Sequence, residues 1–305
     1  MTILAFLIQT LRIATPYLFA ASGGVLSERA GIIALTLEGW MLTGAFCAAT
    51  GSFYSGSPWI GLLAGVGGGV LAAALHGLAS IRYRADQVVV GIAINLLAVG
   101  LTRFLLRLAF DSSSNSPRVP GFDWFVAGAA PGGEMTSTGV GSMVASLANP
   151  LVILGLLSLP TVWWILFRTP FGLRLRAVGE KPEAAQSLGV GAGRIRWYAV
   201  LLAGAFSGMG GSYLALEQHQ FTDNMTAGRG FIALAAVIFG NWEPKRVFAA
   251  CLLFAAAETF QIRLQGLQLI PSQFVEMIPY ILTIVAVAGI VGRAKPPAAL
   301  GRVSG

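Results

Sequence analysis

Apolar stretches alternate with short polar intervals along almost the whole chain. A helix needs about 20 apolar residues to cross a bilayer. Runs approaching that length fall at about residues 3–26, 59–81, 87–110, 150–167, 197–216, 247–261 and 274–291. Two further apolar segments are interrupted. The stretch 30–49 follows the polar triplet Ser27-Glu28-Arg29 and carries Glu38-Gly39 within it. After Gly228-Arg229-Gly230 come about twelve apolar residues, FIALAAVIFGNW, too short for a comfortable crossing and too apolar for a loop. Both read as discontinuous or re-entrant helices, which membranes tolerate only where backbone ends are buried in protein or line a cavity. The pattern predicts an all-α polytopic membrane protein of about eight to ten transmembrane helices, in a single transmembrane domain covering 1–305.

Inside the spans, small residues recur at helical spacing. Gly61, Gly65 and Gly69 share one face, with Gly68 beside it, and Gly204, Gly208 and Gly211 mark another. Such faces let helix backbones approach closely in lipid. Pro16 and Pro279 fall within spans, and each frees backbone groups that neighbours must satisfy. A faint internal echo links RAGIIAL at 29–35 with RGFIALA at 229–235. Paired interrupted segments in two halves of a transporter point to its substrate site.

Composition narrows the class. Of 305 residues, 55% are hydrophobic and 11% charged, against about 25% charged in a soluble domain. A soluble enzyme is excluded on that balance. The net charge of +7 falls in short loops between spans, as a topology signal does, so nucleic acid is not an expected partner. By the positive-inside rule the basic interval at about 168–196 is cytoplasmic, with Arg82, Arg84 and the tail cations Arg293, Lys295 and Arg302 on the same side. The nearly neutral interval at about 111–149 is external. Alternation then gives about nine crossings with the N-terminus outside, or about eight if the segment after Arg229 is re-entrant.

Intramembrane polar side chains are functional candidates by default. Glu38, Asn95, Arg229 and Glu258 are the candidate substrate-pathway residues, their other possible role being to satisfy the ends of broken helices. Arg263, five residues after Glu258, is the nearest cation in sequence to neutralise it, and Arg103 and Arg107 are expected to snorkel to the headgroups. Cys47 and Cys251 read as small core residues, His76 and His219 as bystanders. No Gly-x-x-x-x-Gly-Lys-Ser/Thr loop occurs, and no nucleophile–base pair can be argued. The expectation is no catalytic residue, no metal and no cofactor. If ATP drives transport, another subunit hydrolyses it.

The basic interval also writes a short helix outside the membrane. Pro182 suits the first helical position, Glu183 the positive end of the dipole, and Ala184 and Ala185 propagate it. Gly189 is a natural stop. Arg174 and Arg176 precede this helix in the same interval.

Four blocks then carry a resemblance: SERAGIIALTLEGWMLTGAF at 27–46, ADQVVVGIAINLLAVGLTRFLL at 85–106, TPFGLRLRAVGEKPEAAQSLGV at 169–190 and GRGFIALAAVIFGNWEP at 228–244. Together they resemble the permease subunits of the branched-chain amino acid, ribose and simple-sugar class of bacterial ABC importers, most of all the nucleoside and simple-sugar subgroup. The resemblance implies an inner-membrane permease paired with a second, different permease chain, two cytoplasmic ATPase subunits and an external solute-binding protein. Glu183-Ala184-Ala185 with Gly189 is similar to the EAA…G core of importer coupling loops, although the later Leu-Pro of the broader signature is missing, and the resemblance makes Arg174, Arg176, Pro182, Glu183, Ala184, Ala185 and Gly189 the candidate surface for coupling to the ATPase. Ribose or branched-chain amino acids are alternative cargoes. An ion-coupled secondary transporter using Glu38 or Glu258 is the reading from another class.

Overall fold

The computed structural model describes residues 3–122, 146–267 and 295–302. Among them the chain is helical: α1 (Ile3–Arg29), α2 (Leu37–Ser55), α3 (Pro58–Gly77, extended by a π-turn Leu78–Arg82), α4 (Gln87–Phe110), α5 (Pro150–Arg168), α6 (Pro170–Glu180), α7 (Pro182–Ser187), α8 (Ala192–Glu217), α9 (Arg229–Phe239) and α10 (Pro244–Leu267). Six of these helices, α1, α3, α4, α5, α8 and α10, are long and apolar enough to cross a membrane. The expected span at 274–291 lies outside the described residues, as does 123–145 of the expected external interval.

Local chemistry fixes several helix ends. The Asp86 carboxylate accepts the N–H groups of Val88 and Val89 and starts α4, and Asn149 accepts that of Leu151 and starts α5. These caps occupy donors that a helix leaves unpaired. Thr169 does the same for Gly172 at the start of α6.

Helices α1, α2 and α8 form the buried centre, clasped by α3. The glycine faces meet as the spacing predicts. A Cβ at Gly69 would lie 2.8 Å from Gly208 Cα, and one at Gly44 2.9 Å from Gly208 O. Backbones this close exchange dispersion contacts over their whole length, the main source of helix association in lipid. Outward, large apolar side chains such as Leu63, Leu71, Leu96, Phe104, Leu108 and Trp164 are exposed, which suits a lipid surround.

One end of the bundle gathers the basic interval. There Arg29 Nε donates to Trp242 O at 2.9 Å, Arg196 Nε to Ala30 O at 3.3 Å, and Ala299 N to Gly179 O at 2.9 Å. At the opposite end Arg12 pairs with Glu217, and residues 114–119 hydrogen-bond along 219–223. Helix α2 starts inside the bundle and leaves at this far end, where Ser52 donates to Pro120 O. Helix α9 also starts inside and leaves at the basic end. Each is a partial helix completed by a non-helical lead-in, 30–36 or 218–228. The segment after Arg229 therefore emerges at the end opposite to Glu217 and counts as a crossing. The tail, tied to Gly31, Gly179 and Asn241, lies at the basic end.

Candidate functional site

The first interruption is satisfied side chain by side chain. Glu28 accepts Ala34 N at 3.1 Å, Gln87 accepts Ile33 N at 2.8 Å, and Ser27 Oγ donates to Ile32 O at 2.9 Å. Asn95 spans the break: its Nδ2 donates to Leu35 O and its Oδ1 accepts Gly39 N, both at 2.9 Å. A buried backbone group left unpaired costs about as much as a lost hydrogen bond, roughly 1–3 kcal/mol, so the break persists because four polar side chains converge on it.

The second interruption docks on the first. Glu38, in the first turn of α2, accepts Thr226 Oγ1 at 2.6 Å, Gly228 N at 2.8 Å and Gly230 N at 2.7 Å. Its carboxylate thus sits at the positive end of α9, where an anion is stabilised by the free N–H groups and the helix dipole. Gly228 holds φ at +83°, a backbone state that favours glycine. A Cβ at Gly230 would run into the backbone of Glu38. The two breaks meet inside the bundle, as the internal echo implied.

Next to this junction Arg229 Nη2 donates to Glu258 Oε1 at 2.9 Å, and the Tyr17 hydroxyl donates to the other carboxylate oxygen. Arg229 and Glu258 side chains are 24% and 18% exposed. The exposure opens onto a cleft of about 300 Å³ lined by Gln9, Arg12 and Ile13 of α1, Tyr213 and Glu217 of α8, Arg229, and Ile262 of α10. Arg12 and Glu217 form a second ion pair, nearer the far end, and Asn149 Nδ2 donates to Glu217 at 3.0 Å. Such a cleft offers amide and carboxylate acceptors, guanidinium donors and an aromatic wall, which is hydrogen-bonding chemistry for an uncharged polar solute. Among the described residues no group of three or more His, Cys, Asp or Glu side chains is placed to hold a metal ion.

Of the four sequence-predicted pathway residues, Arg229 lines the cleft and Glu258 holds it from behind. Glu38 and Asn95 lie deeper and hydrogen-bond to the broken backbone. Two expectations are corrected. The partner of Glu258 is Arg229, 29 positions away in sequence; Arg263 instead lies over the Phe6 ring, 4.9 Å from its centroid. Arg103 does not snorkel to headgroups, because Asp223 captures it, with Nε to Oδ2 at 2.9 Å. Sequence reasoning passed over Gln9, Arg12, Tyr17, Tyr213 and Glu217. Arg12 alone gave a signal, as a cation inside the first apolar run.

The coupling candidates sit at the basic end. Helix α7 is anchored by buried Ala185 and ends on Gly189 at φ +81°, leaving Glu183, Ala184 and Leu188 exposed. Pro182 occupies its first position. Arg174 of α6 is exposed, while Arg176 lies over the Phe167 ring, 4.7 Å from its centroid. Arg194 and Arg196 belong to α8, which starts at Ala192. That helix begins about a turn earlier than apolar content suggests, because buried Arg196 is held on the carbonyl of Ala30.

A helical bundle with an apolar exterior, two interrupted crossings meeting inside it and a cleft with charged side chains beside their junction defines a membrane permease. Residues 6–287 match the family model described as branched-chain amino acid transport system / permease component, and the chain belongs to that family. It is similar to guanosine ABC transporter permease protein NupQ of Bacillus subtilis, at 39% identity over 303 residues, covering 96% of this chain and 93% of the relative. Nucleoside ABC transporter permease protein NupC of Lactococcus lactis is 38% identical over 301 residues, 94% and 92% of the two chains. TsgC13 of Haloferax volcanii, whose name gives a glucose ABC transporter permease, is 36% identical over 272 residues, 85% and 78%. No solved structure matches. The chain is an ABC transporter permease, a multi-pass protein of the bacterial inner membrane.

Proposed function

We propose that this chain forms the translocation path of an importer for nucleosides, with simple sugars as the neighbouring possibility, driven by ATPase subunits that dock on α7. The observation that carries the reading is the junction of the two broken helices at Glu38 and Gly230, with Arg229 turned from it into the polar cleft. A nucleoside presents ribose hydroxyls and a flat base with donors and acceptors. Arg229, Gln9 and Glu217 match the polar edges. The names of two similar proteins, guanosine and nucleoside permeases, support that choice over a sugar.

The coupling role of Arg174, Arg176, Pro182, Glu183, Ala184, Ala185 and Gly189 is supported by their position. They form an exposed corner at the basic end, held to the core through Ala185 and through Gly179 against the backbone of Arg29. A push there reaches the end of α1, and α1 carries Gln9 and Arg12 of the cleft. A second, different permease chain and an external solute-binding protein complete the assembly. Against an ion-coupled mechanism, the two carboxylates it would use are both engaged among the described residues: Glu258 by Arg229 and Tyr17, and Glu38 by Thr226, Gly228 and Gly230.

The test is uptake by the purified assembly in proteoliposomes supplied with ATP, comparing labelled guanosine, ribose and leucine. ATP-dependent guanosine uptake is expected, and uptake of ribose or leucine alone overturns the nucleoside assignment. Co-purification of an ATPase subunit, lost on disrupting 182–189, is expected for the coupling role; retention of that subunit overturns it.

A further inference from the structure

At the basic end, three cations lie against two neighbouring, mutually tilted aromatic rings. Trp163 and Phe167, in the last turns of α5, have ring centroids 6.2 Å apart. The Arg168 guanidinium lies 5.8 Å and Lys245 Nζ 5.1 Å from the Trp163 centroid, and Arg176 lies 4.7 Å from that of Phe167. These side chains come from α5, α6 and the first turn of α10. Among the described residues none of the three cations has a carboxylate at ion-pair distance. The acids close by in sequence are engaged: Glu243 pairs with Arg246 at 3.0 Å, and Glu180 accepts Ala298 N at 3.4 Å. Arg176 Nε is buried with no hydrogen-bond partner.

Cations held together repel, and cation–π contacts attract each to a ring without neutralising its charge. An anion between them removes the repulsion. We propose that this cluster binds the phosphate headgroup of an anionic phospholipid of the phosphatidylglycerol type. Its location selects a lipid over a soluble anion. Arg168 closes an apolar span and Lys245 opens another, so the cations stand at the membrane boundary, where basic pockets between helices take such headgroups. Trp164 and Leu157, 57% and 53% exposed on the same helix, give the acyl chains an apolar wall. A zwitterionic headgroup brings its own cation into the cluster and binds less well. The bound lipid would tie α6, which leads into α7, to the ends of α5 and α10.

The test uses the full assembly in nanodiscs containing phosphatidylglycerol or phosphatidylcholine brominated on the acyl chains, with tryptophan fluorescence as the readout. Subtracting a Trp163→Phe variant isolates Trp163 from the other tryptophans. The signal is expected to be quenched at a several-fold lower fraction of brominated phosphatidylglycerol than of phosphatidylcholine. Arg168→Gln with Lys245→Gln should abolish the preference. Lys245→Gln alone, at an exposed position, should reduce it and keeps the test available if the double variant is unstable. Equal quenching by both lipids in the unaltered protein, or a preference that survives the double variant, overturns the assignment.

Discussion

The carboxylate of Glu38 accepts the backbone N–H of Gly230 at 2.7 Å, across 192 positions of sequence. One side chain at the start of α2 thereby caps the start of α9, and the two interrupted crossings become one structural unit. Glu38→Ala strips acceptors from Thr226, Gly228 and Gly230 at once. Each buried donor left unpaired costs about 1–3 kcal/mol, so a large drop in thermal stability in detergent is expected. Glu38→Gln keeps one carbonyl oxygen and should lose markedly less. Equal melting temperatures for Glu38→Ala and the parent protein would refute the capping role.

Gly230→Ala tests the same junction from the other side. The added Cβ meets the backbone of Glu38, not a movable side-chain tip, so the cost should be large, of the order of 1–3 kcal/mol for overpacking. Gly189→Ala meets no neighbour within 4 Å. It pays only for the left-handed backbone, about 1 kcal/mol. The expected order, read from melting curves, is Gly230→Ala well below Gly189→Ala, and Gly189→Ala slightly below the parent.

The Arg229–Glu258 pair makes a prediction about transport. Glu258→Gln leaves the Arg229 charge without its partner at the wall of the cleft. Uptake and substrate-stimulated ATPase activity should fall at least tenfold while insertion into the membrane stays normal. Arg229→Gln combined with Glu258→Gln should be more stable than either single variant, since removing one member of a partly buried pair costs more than removing both. Unchanged uptake in Glu258→Gln removes the residue from the pathway.

At the coupling corner, Arg174→Glu and Glu183→Lys change exposed side chains. Surface changes of this kind are worth within about 0.5 kcal/mol for folding. Both should leave the melting temperature in place yet weaken co-purification of the ATPase subunit several-fold. A variant that binds the ATPase normally and transports normally excludes its residue from the docking surface.

Much of this protein was legible in the sequence because the bilayer imposes rules on single segments. Span length, charge asymmetry between loops, glycine spacing and the Pro182–Gly189 helix are all local or periodic, so α4 falls on 87–110 as the hydrophobic run predicts. Even the interruptions are local events, and Asn95 and Glu38 stood out as polar groups inside apolar runs. What local reading cannot supply is partners. Arg263 lies nearer to Glu258 in sequence than Arg229 does, yet Arg229 makes the pair, because α9 packs antiparallel on α10 and brings its first residue level with Glu258. Arg12, a cation inside the first apolar run, and Glu217, at the end of another, become the two sides of a cleft only when α1 and α8 lie together. The sequence by itself determined the membrane class, the breaks and the basic end, since hydropathy and charge act on each segment alone. Which break caps which, and which charges face the cleft, was decided by tertiary packing, since buried polar groups must find partners wherever the packed helices put them.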